Sequence, residues 1–292
     1  MVHKKYHKKL PWAEITIVAM MVALVVGLVG FFVSNIKYYD YVVETNAFFA
    51  PFEYYDGREI VGVDVEIVNR VAEKMGKSFE IKNVEFDVII DNVEAGKIAD
   101  AGAAGLTITP AREEKVNFTI PYYTSAQYII YSKKANVELR DGHLTWDQLK
   151  GYTIGSQMGS TGYMFVSDEI SDGVLAETGA ELKGLDSHQL AADAIEAHIV
   201  DFVIADELAA NFIVSKNASL ALEPLYNQGA TVEEDTAVAE SYAIAVNKNR
   251  PELLEAFNAV LTEMLKKDAD GTTEMDRLVI KYMGLAEEGT NG

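Results

Sequence analysis

The sequence predicts an α/β protein of two units joined by a hinge, behind an apolar N-terminal segment. Three observations predict it. Between residues 41 and 109, short apolar runs alternate with stretches of helical period, the order that gives a parallel sheet with helices on its faces. The chain leaves this unit near residues 123–128 and returns near residues 240–243, and two crossings make a hinge that can open and close around a guest. Ahead of both, residues 15–33 (ITIVAMMVALVVGLVGFFV) run without a charge.

The 292 residues, 49% of them apolar, suffice for one membrane segment and one or two compact domains. The net charge of −20 is unevenly spread: five lysines against Glu14 give residues 1–37 a net +4, leaving −24 on residues 38–292. Nucleic acid is therefore not an expected partner of the body, since a phosphate backbone is bound by lysine and arginine surfaces. The absence of cysteine removes disulfides, thiolate metal sites and thiol catalysis. Lys4, Lys5, Lys8 and Lys9 in the basic segment 1–14 predict a cytoplasmic N-terminus and an exported body. As a helix, residues 15–33 span about 28 Å, close to the hydrocarbon thickness of a bilayer. That exceeds the apolar part of a cleaved signal peptide, and no small-x-small site follows. An uncleaved transmembrane anchor is expected, with a cleaved signal segment as the alternative.

Residues 41–45 read as the first strand and 46–54 as the loop beyond it. A helix over 63–75 follows, with Ile67, Val68, Val71, Ala72 and Met75 on one face and Gly76 as its stop. Residues 79–81 are the next strand, 87–94 a short helix ended by Gly96, and 102–109 a buried strand of small and apolar residues. Thr109 caps a helix with Pro110 in its first turn. After residues 127–131 and a polar linker, 133–142, the second unit holds a short helix over 146–149 and a strand over 152–154. It continues with a glycine-rich turn over 157–162 opening a helix near Tyr163, a Ser187-capped helix to 199, and a strand over 201–205 delivering Asp206. A strand over 242–246 returns to the first unit, and helices over 251–266 and 274–283 close the chain. The boundaries expected are lobe 1 over 38–125 and 241–288, and lobe 2 over 126–240.

Arg112 breaks a local rule. It stands at the third helical position, where a capping box would place Glu or Gln and where the helix dipole repels a cation. Beside a strand end with open N–H groups, it reads either as a bidentate clamp for a carboxylate or as an exposed arginine at a helix start. Gly159, Ser160 and Thr161 offer an anion the donors of a helix N-terminus, or form a simple tight turn. Asp206, at the end of a strand, can pair with an ammonium group or cap the helix behind it. Phe49, Phe52 and Phe86 supply flat apolar walls or core, with core the reading for Phe52; Asn46 and Gln157 are neutral donors and acceptors, and Glu53 is a further pocket candidate. His143, His188 and His198 are not spaced as metal ligands and read as surface or helix residues.

Gly105-Leu106-Thr107-Ile108-Thr109-Pro110-Ala111-Arg112, followed by Val116-Asn117-Phe118-Thr119 and Pro121-Tyr122-Tyr123, resembles the signature of the extracytoplasmic amino-acid-binding proteins of ABC importers (solute-binding protein family 3). The segment Thr45-Asn46-Ala47-Phe48-Phe49-Ala50-Pro51-Phe52-Glu53-Tyr54, the turn Gln157 to Gly162 and the strand ending at Asp206 extend the likeness over residues 38–284. The resemblance implies a two-lobed periplasmic-binding-protein type II fold. It places Arg112 with Gly159, Ser160 and Thr161 on the carboxylate of a free amino acid, and Asp206 with the Gly105 carbonyl and Thr107 on its ammonium group. Ala104, Asn46, Phe49, Phe52, Phe86 and Gln157 join these as ligand-binding residues. Relatives that take cationic amino acids carry an acidic residue where Asn46 stands, so a polar neutral solute is favoured unless Glu53 points inward. The implied partners are a free amino acid, an ABC permease and, through the N-terminal helix, the membrane; no cofactor, metal or catalytic group is expected. A dehydratase-like enzyme of the same fold and a membrane-tethered sensor are the alternatives.

Overall fold

The computed structural model describes residues 12–34 and 38–289, leaving out the side chains of 13–15, 28–34 and 285–289. The chain divides into two units, residues 1–39 and 40–292. In the first, Trp12–Ser34 is an α-helix. Among the described residues no helix is long and apolar enough to cross a membrane, so the expected transmembrane anchor is not found there. The continuous described side chains of Trp12–Ser34 cover residues 16–27, about 18 Å of helix, against a hydrocarbon core of about 30 Å. The lysine cluster expected to orient the segment lies outside the described residues.

The second unit has two main sheets. One runs Phe79–Asn83, Tyr41–Thr45, Ala101–Gly102, Ala245–Val246 and Asn117–Phe118, parallel over its first three strands. The chain-order alternation of strand and helix therefore gives the parallel arrangement it predicts. Ala245–Val246 arrives from far along the chain and inserts antiparallel between Ala101–Gly102 and Asn117–Phe118. Helix Val63–Met75 covers this sheet with Val63, Ile67, Val68 and Val71, packed with Leu253, Phe257 and Leu261 of helix Pro251–Met264. Gly76 ends the first of these helices in the left-handed conformation, φ 63°, which costs glycine little.

The other sheet orders Glu181–Leu185, Thr153–Gln157, Phe202–Asp206, Tyr123–Ser132 and Leu220–Asn227, parallel over the first three strands and antiparallel beyond. The first half of Tyr123–Ser132 also pairs antiparallel with Ala239–Tyr242, from Ala126↔Ala239 to Tyr123↔Tyr242. These paired strands carry the chain between the two sheets, which makes this second unit a two-lobed α/β structure with a two-strand hinge.

Several local expectations change. The strand expected over 102–109 narrows to Ala101–Gly102, with irregular backbone beyond it except for a bridge from Thr107 to Tyr242, and the strand expected over 242–246 divides into Ala239–Tyr242 and Ala245–Val246. Residues 46–54, read as a loop, contribute to a small antiparallel sheet of Phe48–Phe49, Glu53–Asp56 and Glu59–Val61 with a cis Ala50–Pro51 bond. Helix His188–Glu196 stops short of residue 199, because His198 takes φ 55° and Ile199 N–H turns back to the Ala194 carbonyl. The helix near Tyr163 opens earlier, at Thr161, with the Ser160 hydroxyl accepting from Tyr163 N–H at 3.1 Å.

Candidate ligand-binding site

Every strand end that the sequence points to converges on one cavity between the lobes, as expected where ligands sit beyond the carboxyl ends of parallel strands. Lobe 1 contributes Phe49, Phe86, Ala104, Gly105, Thr107 and Arg112; lobe 2 contributes Gln157, Ser160, Thr161 and Asp206. The cavity holds about 270 Å³ including its mouth. Most of that is mouth: the room inside is about 10 Å³, space for little more than one water, so the walls lie closed on one another.

Arg112 is buried. The short helix Pro110–Lys115 gives its backbone N–H to the Thr109 hydroxyl at 3.3 Å, while the side chain folds into the cleft instead of out to solvent. Nη1 donates to the Thr107 carbonyl at 2.7 Å and Nη2 crosses to the Gly159 carbonyl of the other lobe at 2.9 Å. Burial pulls the guanidinium down to about 10, so it stays charged at neutral pH. Its carbon lies 5.8 Å from the Phe86 ring centre, within cation–π range. Gly159 must be glycine on two counts: its φ is +74°, and a Cβ would lie 2.8 Å from Asp87 Cα on the facing lobe. The lobes are thus closed tightly at this turn.

Asp206 is not the helix cap the sequence allows, for its side chain makes no capping bond. Its oxygens accept instead from Gln127 Nε2 and, at 2.7 Å, from the Tyr242 hydroxyl. Burial first, and then the negative charge of Glu240, raise it well above the ordinary carboxylate range. Glu240 stands on the returning hinge strand. Its Oε2 accepts from Thr107 and from Thr161, each at 2.5 Å, and its Oε1 from Gln127. One hinge carboxyl group therefore ties the two lobes together behind the cavity wall.

Asn46 joins the site indirectly: its Oδ1 accepts from Gln157 Nε2 at 3.0 Å, again across the lobes, and its own amide donates to the Val84 carbonyl at 2.7 Å. Two of the ligand-pocket candidates do not line the cavity, and for Phe52 the core reading holds. Phe52 does not line the cavity; it is fully buried in the lobe-1 core, stacked behind Phe49 at 5.5 Å and edge-on to Tyr242 at 5.1 Å. Glu53 does not point inward either, because strand Glu53–Asp56 turns it into the interior beside Asp64, where burial and the Asp64 charge raise it well above its usual range.

Sequence reasoning missed Glu240, Gln127 and His188. His188, read as a surface or helix residue, is buried in the cavity wall 5.8 Å from the Phe49 ring. Burial lowers it to about 4, so the ring is neutral at physiological pH, and its Nδ1 has no hydrogen-bond partner. A signal was present: Ser187 caps a helix just past strand Glu181–Leu185, the same strand-end position that marks Arg112 and Asp206.

A buried guanidinium facing a buried carboxyl group in a closable interlobe cavity defines a binding protein for a small solute with both an anionic and a cationic end. The chain belongs to the bacterial extracellular solute-binding proteins, family 3, whose family model matches residues 41–284. It is 29% identical over 242 residues to the arginine-binding extracellular protein ArtP of Bacillus subtilis (strain 168), covering 82% of this chain and 85% of that one. The amino acid ABC transporter substrate-binding protein AbpA of Streptococcus pneumoniae, solved bound to L-arginine, is 28% identical with a TM-score of 0.70, over 84% of this chain and 95% of AbpA. An ancestral arginine-binding protein solved bound to glutamine is 31% identical with a TM-score of 0.67, over 84% and 97%. The family and these relatives are solute-binding proteins, not enzymes.

Proposed function

We propose that this protein is the extracytoplasmic substrate-binding component of an ABC-type amino-acid importer, capturing a free amino acid between its lobes and delivering it to a membrane permease. The observation that carries the reading is Arg112, buried and bonded to both lobes, in one cavity with Asp206. The solute's carboxylate would take the guanidinium and the donors of Ser160 and Thr161; its ammonium group would take Asp206, the Gly105 carbonyl and Thr107. Arginine and glutamine, the solutes of these relatives, share this α-amino-acid core.

The side-chain end of the cavity favours an uncharged hydrogen-bonding group. Its polar atoms come from Gln157, held by Asn46 behind it, and a neutral His188 between the walls of Phe49 and Phe86. The uncharged run 15–33 and the lysines before it support retention at the membrane by an N-terminal anchor. The boundaries that go with this reading are lobe 1 over 38–125 and 241–288 and lobe 2 over 126–240.

The test is a thermal-shift screen of the purified full-length chain against the common amino acids. A solute that binds only the folded state raises the melting temperature with its saturation. A clear rise with glutamine, asparagine or a related amino acid is expected, and no rise with any amino acid would overturn the reading. For the anchor, the expected result is a chain that stays in the membrane fraction after an alkaline wash and is released when residues 1–37 are removed.

A further inference from the structure

The cavity's charges do not balance if every group is ionised. Arg112 brings one positive charge; Asp206 and Glu240 bring two carboxyl groups, both buried and both bonded to the amide of Gln127. Each of their four oxygens meets an uncharged donor: Gln127 on one oxygen of each, Tyr242 on the second of Asp206, Thr107 and Thr161 on the second of Glu240. These donors favour ionisation, but burial and the like charge of the neighbouring carboxyl group outweigh them, so the pair keeps a proton between its members.

The other titratable groups facing the pair do not supply a second positive charge. Arg112 reaches it from helix Pro110–Lys115 and already balances one carboxylate. His188, from the first turn of His188–Glu196, is held neutral by burial. Tyr242, from the hinge strand, is buried and its phenol is raised well above its usual range. Glu207, next to Asp206, is directed to the Tyr128 hydroxyl at 3.5 Å.

A neutral zwitterion entering this cavity leaves its net charge unchanged. A cationic amino acid brings one more positive charge, and the side-chain end has no carboxylate among the described lining residues to receive it. In a buried site, however, a charge acts across the whole cavity. We propose that Asp206 and Glu240 act as one adjustable counter-charge: they share a proton when the solute is a neutral zwitterion and surrender it when the solute is a cation, so that one site serves both classes. The proposal rests on the amino-acid reading above, and it assigns Glu240 as a positioning residue that widens the range of solutes.

The experiment is calorimetric titration of the full-length protein with L-arginine and with L-glutamine, each in two buffers of different ionisation enthalpy and over pH 5.5–8. Arginine binding should release about one proton, and its affinity should rise about tenfold per pH unit while the pair is protonated in the empty site. Glutamine binding should release almost none and vary little with pH. Glu240→Gln, checked by its melting temperature, should abolish the arginine-linked release and lower the arginine-to-glutamine affinity ratio at least tenfold; Glu240→Asp should restore both. Arginine binding that is pH-flat and releases no proton overturns the proposal, and so does failure of arginine to bind a protein that binds glutamine. If neither solute nor any other amino acid binds, the amino-acid reading itself falls.

Discussion

Among the described residues two pairs of buried carboxyl groups, Asp206 with Glu240 and Glu53 with Asp64, differ in what surrounds them. Asp206 and Glu240 lie at the hinge, with donors arriving from both lobes and the cavity in front. Glu53 and Asp64 lie inside lobe 1. Asp64 accepts from the Gly105 N–H at 2.9 Å and from the Tyr122 hydroxyl at 2.6 Å, while both oxygens of Glu53 lack any donor. The chemistry is the same in both places, since burial and a like charge oppose ionisation. Only the first pair can exchange charge with a solute. The second anchors the strand end that carries Gly105 from behind, so it shapes the site without touching what enters it.

The largest expected effect tests whether the cavity needs its counter-charge. Arg112→Ala should cost about 3 kcal/mol or more of solute affinity by calorimetry, because it leaves a buried carboxylate unpaired. Unchanged affinity would detach the hinge pair from any solute. Asp206→Asn should cost about 2–3 kcal/mol of affinity while leaving the melting temperature of the empty protein equal or higher, since the amide replaces a buried ionisable group without burying a charge. A parallel fall in both would make the hinge pair structural, as the inner one is.

Closure comes next in size. Gly159→Ala places a Cβ against Asp87 and holds alanine at a positive φ, so affinity should drop by about 1–2 kcal/mol through the lost closure, with a fall of a few degrees in melting temperature from the strained backbone. A larger fall in stability without the loss of affinity would show that this turn supports its own lobe rather than the contact between lobes.

The smallest effect on affinity belongs to the inner pair. Burial raises Asp64 from 3.8 to about 6. A carboxyl group whose folded value is raised favours folding while protonated. Its contribution, on the order of 3 kcal/mol, is therefore full below about pH 4 and lost as the pH rises through about 6. Glu53→Gln provides an amide donor to Asp64, and it should flatten the melting-temperature profile between pH 4 and 7 while changing solute affinity less than twofold. A larger change in affinity would make the two pairs alike in function.

Much of the architecture is written locally. The alternation over residues 41–109, the Thr109 and Ser187 caps and the Gly76 stop are short-range patterns that each fix one element's start, end or buried face. The expectations that fail do so for reasons no window of sequence contains. Phe49 and Phe52 are three residues apart in one aromatic segment, yet one ring meets the cavity and the other the core, because the small sheet of Phe48–Phe49 and Glu53–Asp56 sets their directions. Glu53 faces the lobe-1 interior instead of the cavity by the same pairing.

What the sequence by itself determined is the set of strand ends and caps that deliver Arg112, Gly159 to Thr161 and Asp206, since these depend on backbone preferences and on periodicity over a few residues. What only the tertiary structure decided is company. Glu240 meets Asp206 and Gln127, and His188 meets Phe49, through strand pairing and lobe closure between segments far apart in the chain. The charge state of a buried carboxyl group depends on exactly which neighbours those are, because away from water each nearby donor or charge weighs far more than the residue's own type.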